Sequence, residues 1–201
     1  MEFTALSREL KEISYAPQVQ FVDRGIRGEG FYPGASQCLF GDPGAAKIML
    51  LGRDFGTLDY YSKLQNTDRS EYALTWRHTR DIYLKELNLF RVFCTNYLMG
   101  VRVDGSAKGD LSERMKPAEW SVFEESCWLF LLSQASVFRP DLILVFGADN
   151  KRDLQKPSRL SGLSVSVLYG DHPHSAIGSK NAARHTAICK TAKARLGLAD
   201  K

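Results

Sequence analysis

Four short apolar segments, separated by stretches of helical periodicity, constrain the fold of this chain more than any other feature. Each is rich in branched or aromatic residues and ends at Gly or Asn, a pattern typical of buried strands. Strands that alternate with helices predict a parallel sheet covered on both faces. The four segments are KIMLLG (Lys47–Gly52), RVFCTN (Arg91–Asn96), PDLILVFG (Pro140–Gly147) and LSVSVLYG (Leu163–Gly170).

The remaining segments predict where the helices lie. A long helix should begin at Pro117, which suits a first helical turn, and a last helix should run from about Ser179 to Leu196. Residues 100–116 have the composition of a loop. The 201 residues suit one domain. We therefore expect a single three-layer α/β/α domain over residues 1–201, with a central, mostly parallel four-stranded sheet. Residues 1–45 should form an N-terminal helix and an irregular segment.

Composition narrows the class of protein only slightly. With 44% hydrophobic and 25% charged residues the chain is globular, and its net charge of +4 permits an anionic partner without requiring one. Apolar runs such as WLFLL are too short to cross a bilayer, and the N-terminus lacks signal-peptide features. The scattered cysteines favour reduced thiols. We expect a cytoplasmic protein that does not enter membranes. Its cysteines are Cys38, Cys94, Cys127 and Cys189.

Polar residues follow three of the four predicted strands. GRDFGT follows the first strand, TN closes the second and GDHPHS follows the fourth, whereas the third ends in FGADN. Ligands of parallel α/β sheets bind beyond the carboxyl ends of the strands. The sequence therefore predicts a functional site at this edge of the sheet.

Four segments taken in order carry a resemblance to a known family. IMLLGRDFG, FCTNYLMG, FRPDLILVFGADN and LYGDHPHSA resemble the motifs of the uracil-DNA glycosylase superfamily, over roughly Cys38 to Ile177. The resemblance implies a monomeric DNA glycosylase of base excision repair. Such an enzyme binds single- or double-stranded DNA, flips out a damaged base and hydrolyses its N-glycosidic bond without metal or cofactor.

The same resemblance assigns two catalytic residues. Asp54 matches a water-activating aspartate, and a carboxylate suits that role because bond cleavage leaves positive charge on the sugar. His172 matches the histidine that donates a hydrogen bond to the departing base, and Pro173 fixes its turn. The strictest uracil enzymes have a tyrosine where this chain has Gly56, so strict uracil specificity is not expected.

The resemblance also implies how the base is held. The backbone amides of Gly52 and Phe55 should lie beside the base, and Asn96 should read it, because an amide side chain donates and accepts at once. The resemblance further implies an aromatic residue that stacks on the base. Trp76 is our choice, from the segment TWRHTRDIYL, and three other aromatic residues compete with it: Phe55, Tyr60 and Tyr61.

Contacts to the DNA backbone are expected beyond the HP motif. His174, Ser175 and Lys180 would lie near a helix N-terminus, where free amides favour a phosphate. Ile177 is either an apolar wedge into the base stack or a core residue. The basic residues from Lys190 onward suit a solvated helix face.

The cysteines test a further implication, because one branch of the superfamily holds a [4Fe–4S] cluster. Cys38 and Cys127 fall near two of its four ligand positions, but Ala35 and Gly100 occupy the other two. A cubane cluster needs four thiolates. We therefore predict no iron–sulfur cluster.

Three other interpretations remain open from the sequence. The chain could be a catalytically inactive relative that binds nucleic acid or a protein partner. It could instead hydrolyse free nucleosides or nucleotides in the same crevice, or be an unrelated α/β domain that binds a small molecule.

Overall fold

The fold is described from a computed structural model, which covers residues 3–21, 39–59, 62, 74–103, 110–156, 159–175 and 179–198. The helices are α1 (Phe3–Glu9), α2 (Leu74–His78), α3 (Pro117–Phe138), α4 (Ala148–Gln155) and α5 (Ser179–Arg195). The strands are β1 (Val19–Gln20), β2 (Leu39–Phe40), β3 (Lys47–Gly52), β4 (Arg91–Asn96), β5 (Val101–Arg102), β6 (Leu142–Phe146) and β7 (Ser166–Gly170). Short 3-10 helices lie at Leu10–Glu12, Leu111–Arg114, Leu160–Gly162 and Pro173–Ser175, and α2 continues into a π-helical turn, Thr79–Leu84.

A mostly parallel sheet forms the centre of the fold, with strand order β2-β4-β3-β6-β7. Strand β3 is parallel to both β4 and β6, and β6 is parallel to β7, so all four predicted strands are confirmed. The predicted number of four strands is wrong, because β2 adds an antiparallel edge in which Leu39 pairs with Phe93. Two residues within the predicted irregular segment are too few to show a strand pattern.

Helices cover both faces of this sheet. Met49 and Leu51 of β3 enter one apolar cluster, which also contains buried residues of α1, α3 and α4. Ile48 and Leu50 enter a second cluster with Trp76 of α2 and residues of α5. Because successive side chains of a strand point to opposite faces, continuous burial of β3 requires helices on both sides.

The predicted start of the longest helix is confirmed. Helix α3 begins at Pro117, and the Glu119 side chain accepts a 3.3 Å hydrogen bond from the Lys116 backbone N–H ahead of it. The helix ends where Arg139 adopts a left-handed conformation, with φ of 53°. Among the residues that the structure describes, no helix is long and apolar enough to cross a membrane.

A second, two-stranded sheet lies where the sequence predicts a loop. Strand β5 pairs antiparallel with β1, and Val19 lies opposite Arg102. Arg102 also forms an isolated bridge with Thr57, and its backbone N–H donates to the Gly56 carbonyl at 2.9 Å. Strand β5 therefore runs beside the segment that follows β3, at the carboxyl edge of the main sheet.

Candidate functional site

A cavity of about 460 Å³ opens at the carboxyl edge of the parallel sheet. Its size suits a small molecule or a single nucleotide unit. Both predicted catalytic residues, Asp54 after β3 and His172 after β7, line it. The complete lining consists of Arg53, Asp54, Arg102, Asp110, Glu113, Asp149, Arg152 and His172.

Two donors hold the Asp54 carboxylate. Its Oδ1 accepts a 2.9 Å hydrogen bond from the Gly56 backbone N–H, and its Oδ2 accepts a 2.7 Å bond from the Arg102 guanidinium. Gly56 has a φ of 77°, which favours glycine. The turn itself therefore explains why no side chain occupies this position.

Arg102 is a functional candidate that the sequence did not reveal. Its side chain is 4% exposed and forms an ion pair with Asp54, whose side chain is 11% exposed. The sequence VRV alone carries no signal for this contact, because it depends on the pairing of β5 with β1 and its bridge to Thr57.

The His172 ring has a defined proton position in its neutral form. Its Nδ1 accepts a 3.2 Å hydrogen bond from the His174 backbone N–H, so the neutral ring carries its hydrogen on Nε2. Burial lowers the pKa of His172 below its ordinary value, and the charge of His174 lowers it further, while Asp54 opposes the shift. His172 is therefore neutral at pH 7.

Gly147 lies next to this ring. It follows β6 with a φ of 90°, and a side-chain Cβ built there would lie 3.8 Å from both Cβ and Cδ2 of His172. Its N–H donates to the Gly170 carbonyl at 2.9 Å, which ties the ends of β6 and β7 together. The end of β6, for which the sequence predicted no role, therefore lies next to His172 and helps to hold the strand that precedes it.

Asn96 lies beside the cavity rather than on its wall. It pairs in register with Gly52 at the ends of β4 and β3, and it is buried. Among the described residues, the cavity lining does not include Asn96, Gly52 or Phe55. The base-reading roles of these three residues remain predictions.

Asn150 of α4 is a second residue that the sequence did not single out. It is fully buried, and its Nδ2 donates to the carbonyls of Leu51 and Gly52 at 3.3 and 3.0 Å. The Gly52 carbonyl also accepts from the Tyr97 backbone N–H at 2.9 Å. These bonds fix the end of β3 from which Asp54 follows.

A network of charges forms part of the cavity wall. Arg53 lies 2.7 Å from Asp110, 3.1 Å from Asp153 and 3.3 Å from Asp149. Arg152 also contacts Asp110, and it lies 3.2 Å from Asp153. Burial alone would raise the pKa of Asp110, but hydrogen bonds from the Ser112 backbone and Arg152 lower it to about 2. The Asp110 carboxylate therefore remains charged at neutral pH, and it contacts both arginines.

A second cavity, of about 430 Å³, shares Asp110, Glu113 and Arg152 with the first. Four acidic and three basic side chains line it, so acidic and basic groups are nearly balanced on its wall. Its other lining residues are Ser112, Trp120, Glu124, Asp153, Lys156 and Arg159.

The stacking candidates lie in different environments. Trp76 is 4% exposed and packs in the second core cluster, with its ring centroid 5.7 Å from that of Phe40. Phe55 is half-buried and packs on the other cluster. Tyr60 and Tyr61 lie outside the described residues. Trp76 thus has a packing role whether or not it also contacts a base.

Among the predicted contacts to DNA phosphate, only His174 can be described in full. It is exposed in the short helix Pro173–Ser175. Ser175 and Lys180 belong to helices whose backbone is described, but their side chains lie outside the description, as does Ile177. Their roles remain predictions.

The described cysteines are packed thiols. Cys127 accepts a 3.4 Å contact from the Met99 backbone N–H, and burial raises its pKa to about 12. Cys94 and Cys189 are also buried and form no disulfide, and Cys38 lies outside the described residues. Within the described ranges, no group of three or more His, Cys, Asp or Glu side chains could hold a metal ion.

Fold and site together define an α/β protein whose mostly parallel sheet carries, at its carboxyl edge, a cavity lined by carboxylates, arginines and one imidazole. No protein-family model matches the chain, and no curated protein matches it.

Proposed function

We propose that this protein is a DNA glycosylase of the uracil-DNA glycosylase type, which hydrolyses the N-glycosidic bond of uracil or another deaminated base. The supporting observation is that Asp54 and His172 line one cavity at the carboxyl edge of the sheet. In the family that the chain resembles, the two matching residues act on opposite sides of the N-glycosidic bond.

His172 would stabilise the departing base. Breaking the bond between the sugar C1′ and the base nitrogen leaves both bonding electrons on the base, whose carbonyl oxygen becomes more negative. The His172 ring presents a hydrogen on Nε2 because its Nδ1 accepts from His174. A neutral, half-buried imidazole is suited to donate to that oxygen without first gaining a proton.

Asp54 would stabilise the sugar cation and orient water. The water oxygen bonds to C1′, the Asp54 carboxylate accepts the proton that the water loses, and this proton passes through solvent to the departed base anion, so that the products are an abasic sugar and the free base. Each carboxylate oxygen has two lone pairs, and the bonds from Gly56 and Arg102 occupy one on each oxygen. Both oxygens can therefore accept a further hydrogen bond, including one from water.

DNA would approach from the side of the exposed His174. Gly56 stands where strict uracil enzymes have a tyrosine, so the side chain that would exclude other bases is missing at this position and deaminated purines belong among the candidate bases.

A second candidate function is supported by the ion pair between Asp54 and Arg102. At 2.7 Å the guanidinium neutralises much of the charge that a sugar cation would need. This contact favours a catalytically inactive relative that binds nucleic acid or a protein partner. The two candidates differ in chemistry but share the cavity.

Base release from labelled oligonucleotides separates them. Single-stranded and duplex substrates would contain uracil, hypoxanthine or xanthine, and alkali would cut at abasic sites; free nucleosides would be tested beside them. Asp54→Asn protein, purified identically, controls for contaminating glycosylases, and EDTA in every reaction tests the expected independence of metal. We expect release from at least one oligonucleotide. Salt-sensitive binding without release would favour the inactive relative, whereas release from nucleosides alone would indicate a nucleoside hydrolase.

A further inference from the structure

One peptide unit connects His78 with His172. The peptide between Pro173 and His174 accepts at its carbonyl oxygen, which lies 2.8 Å from Nδ1 of His78. The same peptide donates at its N–H, which lies 3.2 Å from Nδ1 of His172. The two imidazoles, one from α2 and one after β7, are thus joined through a single rigid plane.

The direction of each bond follows from the chemistry of the peptide. A carbonyl oxygen can only accept, so His78 carries its hydrogen on Nδ1, and a backbone N–H can only donate, so Nδ1 of His172 accepts. Hydrogen bonds in series polarise one another, because donation to the carbonyl makes the attached N–H a stronger donor. The His78 contact therefore strengthens the bond that keeps the His172 hydrogen on Nε2.

The loop around this peptide needs such an anchor. Pro173 has no backbone N–H with which to hold the turn. The neighbouring ion pair between Asp171 and Arg184 is solvent-exposed on both sides, and exposed pairs hold a loop weakly. His78 is half-buried and lies on the helical segment packed against the second core cluster, so it supplies a contact from the interior.

We propose that His78 is a positioning residue, which fixes the tautomer and orientation of His172 through the Pro173–His174 peptide. The catalytic consequence of this role rests on the proposed glycosylase function, but its structural consequence does not. His78 itself need not touch the substrate. It acts by holding the plane from which His172 receives its hydrogen bond.

Two substitutions at position 78 separate donation from packing. His78→Asn keeps a donor nitrogen attached to Cγ, as Nδ1 is, whereas His78→Leu fills similar space without a donor. Arg80→Ala is a control on the same segment, because Arg80 is exposed and pairs with its neighbour Asp81. Thermal unfolding tests whether each variant folds, and His78→Phe, a ring of similar shape without a donor, replaces His78→Leu if that variant does not fold.

The primary measurement is the nitrogen NMR spectrum of the His172 ring near pH 7.5, assigned by its loss in His172→Gln. We expect wild type, His78→Asn and Arg80→Ala to show one neutral tautomer with hydrogen on Nε2. In His78→Leu the Nδ1 signal should shift towards the value for exchanging tautomers. An unchanged His172 spectrum in a folded His78→Leu variant would overturn the proposal.

Base release supplies the second measurement. A group that orients a ligating or reacting histidine typically affects activity by about 10- to 100-fold, so His78→Leu should lose about that much and His78→Asn should recover most of it. Equal losses in both variants would overturn the positioning role. If wild type releases no base, the glycosylase proposal fails, and the NMR result alone decides the role of His78.

Discussion

The Arg102 guanidinium donates a 2.7 Å hydrogen bond to the Asp54 carboxylate, and both side chains are almost enclosed by protein. Arg102 belongs to a strand outside the main sheet, whereas Asp54 follows the strand at its centre. The pair therefore joins the small two-stranded sheet to the carboxyl edge of the large one. Its removal should affect both stability and chemistry.

Arg102→Met should lower the free energy of unfolding by about 3 kcal/mol, because it leaves the enclosed Asp54 carboxylate without its partner. Urea unfolding measures the loss. The double variant Asp54→Asn with Arg102→Met should recover part of it, since no charge is then left unpaired. Arg80→Ala breaks an exposed pair and should cost at most about 1 kcal/mol. If Arg102→Met and Arg80→Ala lowered the free energy of unfolding equally, the enclosed ion pair would stabilise the protein no more than an exposed one does.

Asp54→Asn and His172→Ala should each slow base release by about 100- to 1000-fold, because each removes a group that stabilises charge in the transition state. Both variants should remain folded, since asparagine keeps an acceptor for Arg102 and His172 lies in a loop. Single-turnover assays on the preferred oligonucleotide measure the effect. Unchanged rates in two folded variants would refute the mechanism.

The sheet was predictable because its strands are buried on both faces. Residues 48–51 and Leu142–Phe146 are then continuously apolar and are followed by Gly52 and Gly147, a pattern that a sequence displays directly. Strand β2 was not predictable, because two residues carry no periodicity. Strand β5 has the same length, and its pairing with β1 depends on residues far away in the chain.

The candidate site likewise contains some residues that local sequence patterns predict and others that only tertiary contacts reveal. Asp54 and His172 follow recognisable strand ends, so their meeting at one edge of the sheet could be expected from topology. Arg102, Asn150 and His78 act through tertiary contacts with backbone or with a distant carboxylate. In the sequence, His78 lies between Arg77 and Thr79 in the segment TWRHTRDIYL, and nothing in that segment indicates its contact with Pro173.

Acidification should destabilise the protein in two steps. Burial lowers the pKa of His172 and His185 below 6.5, so the unfolded chain binds protons more readily than the native one, and stability falls as pH drops below about 6.5. The pKa of Asp110 is lowered from 3.8 to about 2, so its contribution, present above 3.8, is lost as pH falls towards 2.

Urea unfolding between about pH 5 and about pH 8 tests the first step. The free energy of unfolding should rise with pH over this range, and His172→Gln should reduce the slope because one of the two buried rings is removed. A wild-type stability that does not change with pH here would contradict the burial of both histidines.

Trp76 has two roles that can be separated by experiment. Its ring packs against Phe40, so Trp76→Leu and Phe40→Leu should both lower the free energy of unfolding, by about 1–3 kcal/mol. The stacking role predicted from the sequence requires in addition that Trp76→Leu weakens oligonucleotide binding more than Phe40→Leu. Fluorescence anisotropy well below the unfolding temperature measures this, and equal affinities would exclude Trp76 as the stacking residue.

Gly147→Ala should destabilise the protein through its backbone rather than through a clash. The nearest His172 atoms would lie 3.8 Å from the new methyl group, which is ordinary contact, but a φ of 90° costs a residue with a side chain about 1–3 kcal/mol. Relief of that strain would shift the Gly147 N–H away from Gly170 and change the position of the backbone next to His172. We therefore expect slower base release as well as lower stability.

Gly162→Ala is the matched control for this change. Gly162 does not have a positive φ, and an added Cβ there would meet no atom within 4 Å. Its free energy of unfolding should change by less than about 0.5 kcal/mol, and base release should remain at the wild-type rate. If Gly147→Ala were as harmless as Gly162→Ala, the left-handed backbone at the end of β6 would not be what supports His172, and the orientation of the ring would depend on the Pro173–His174 peptide alone.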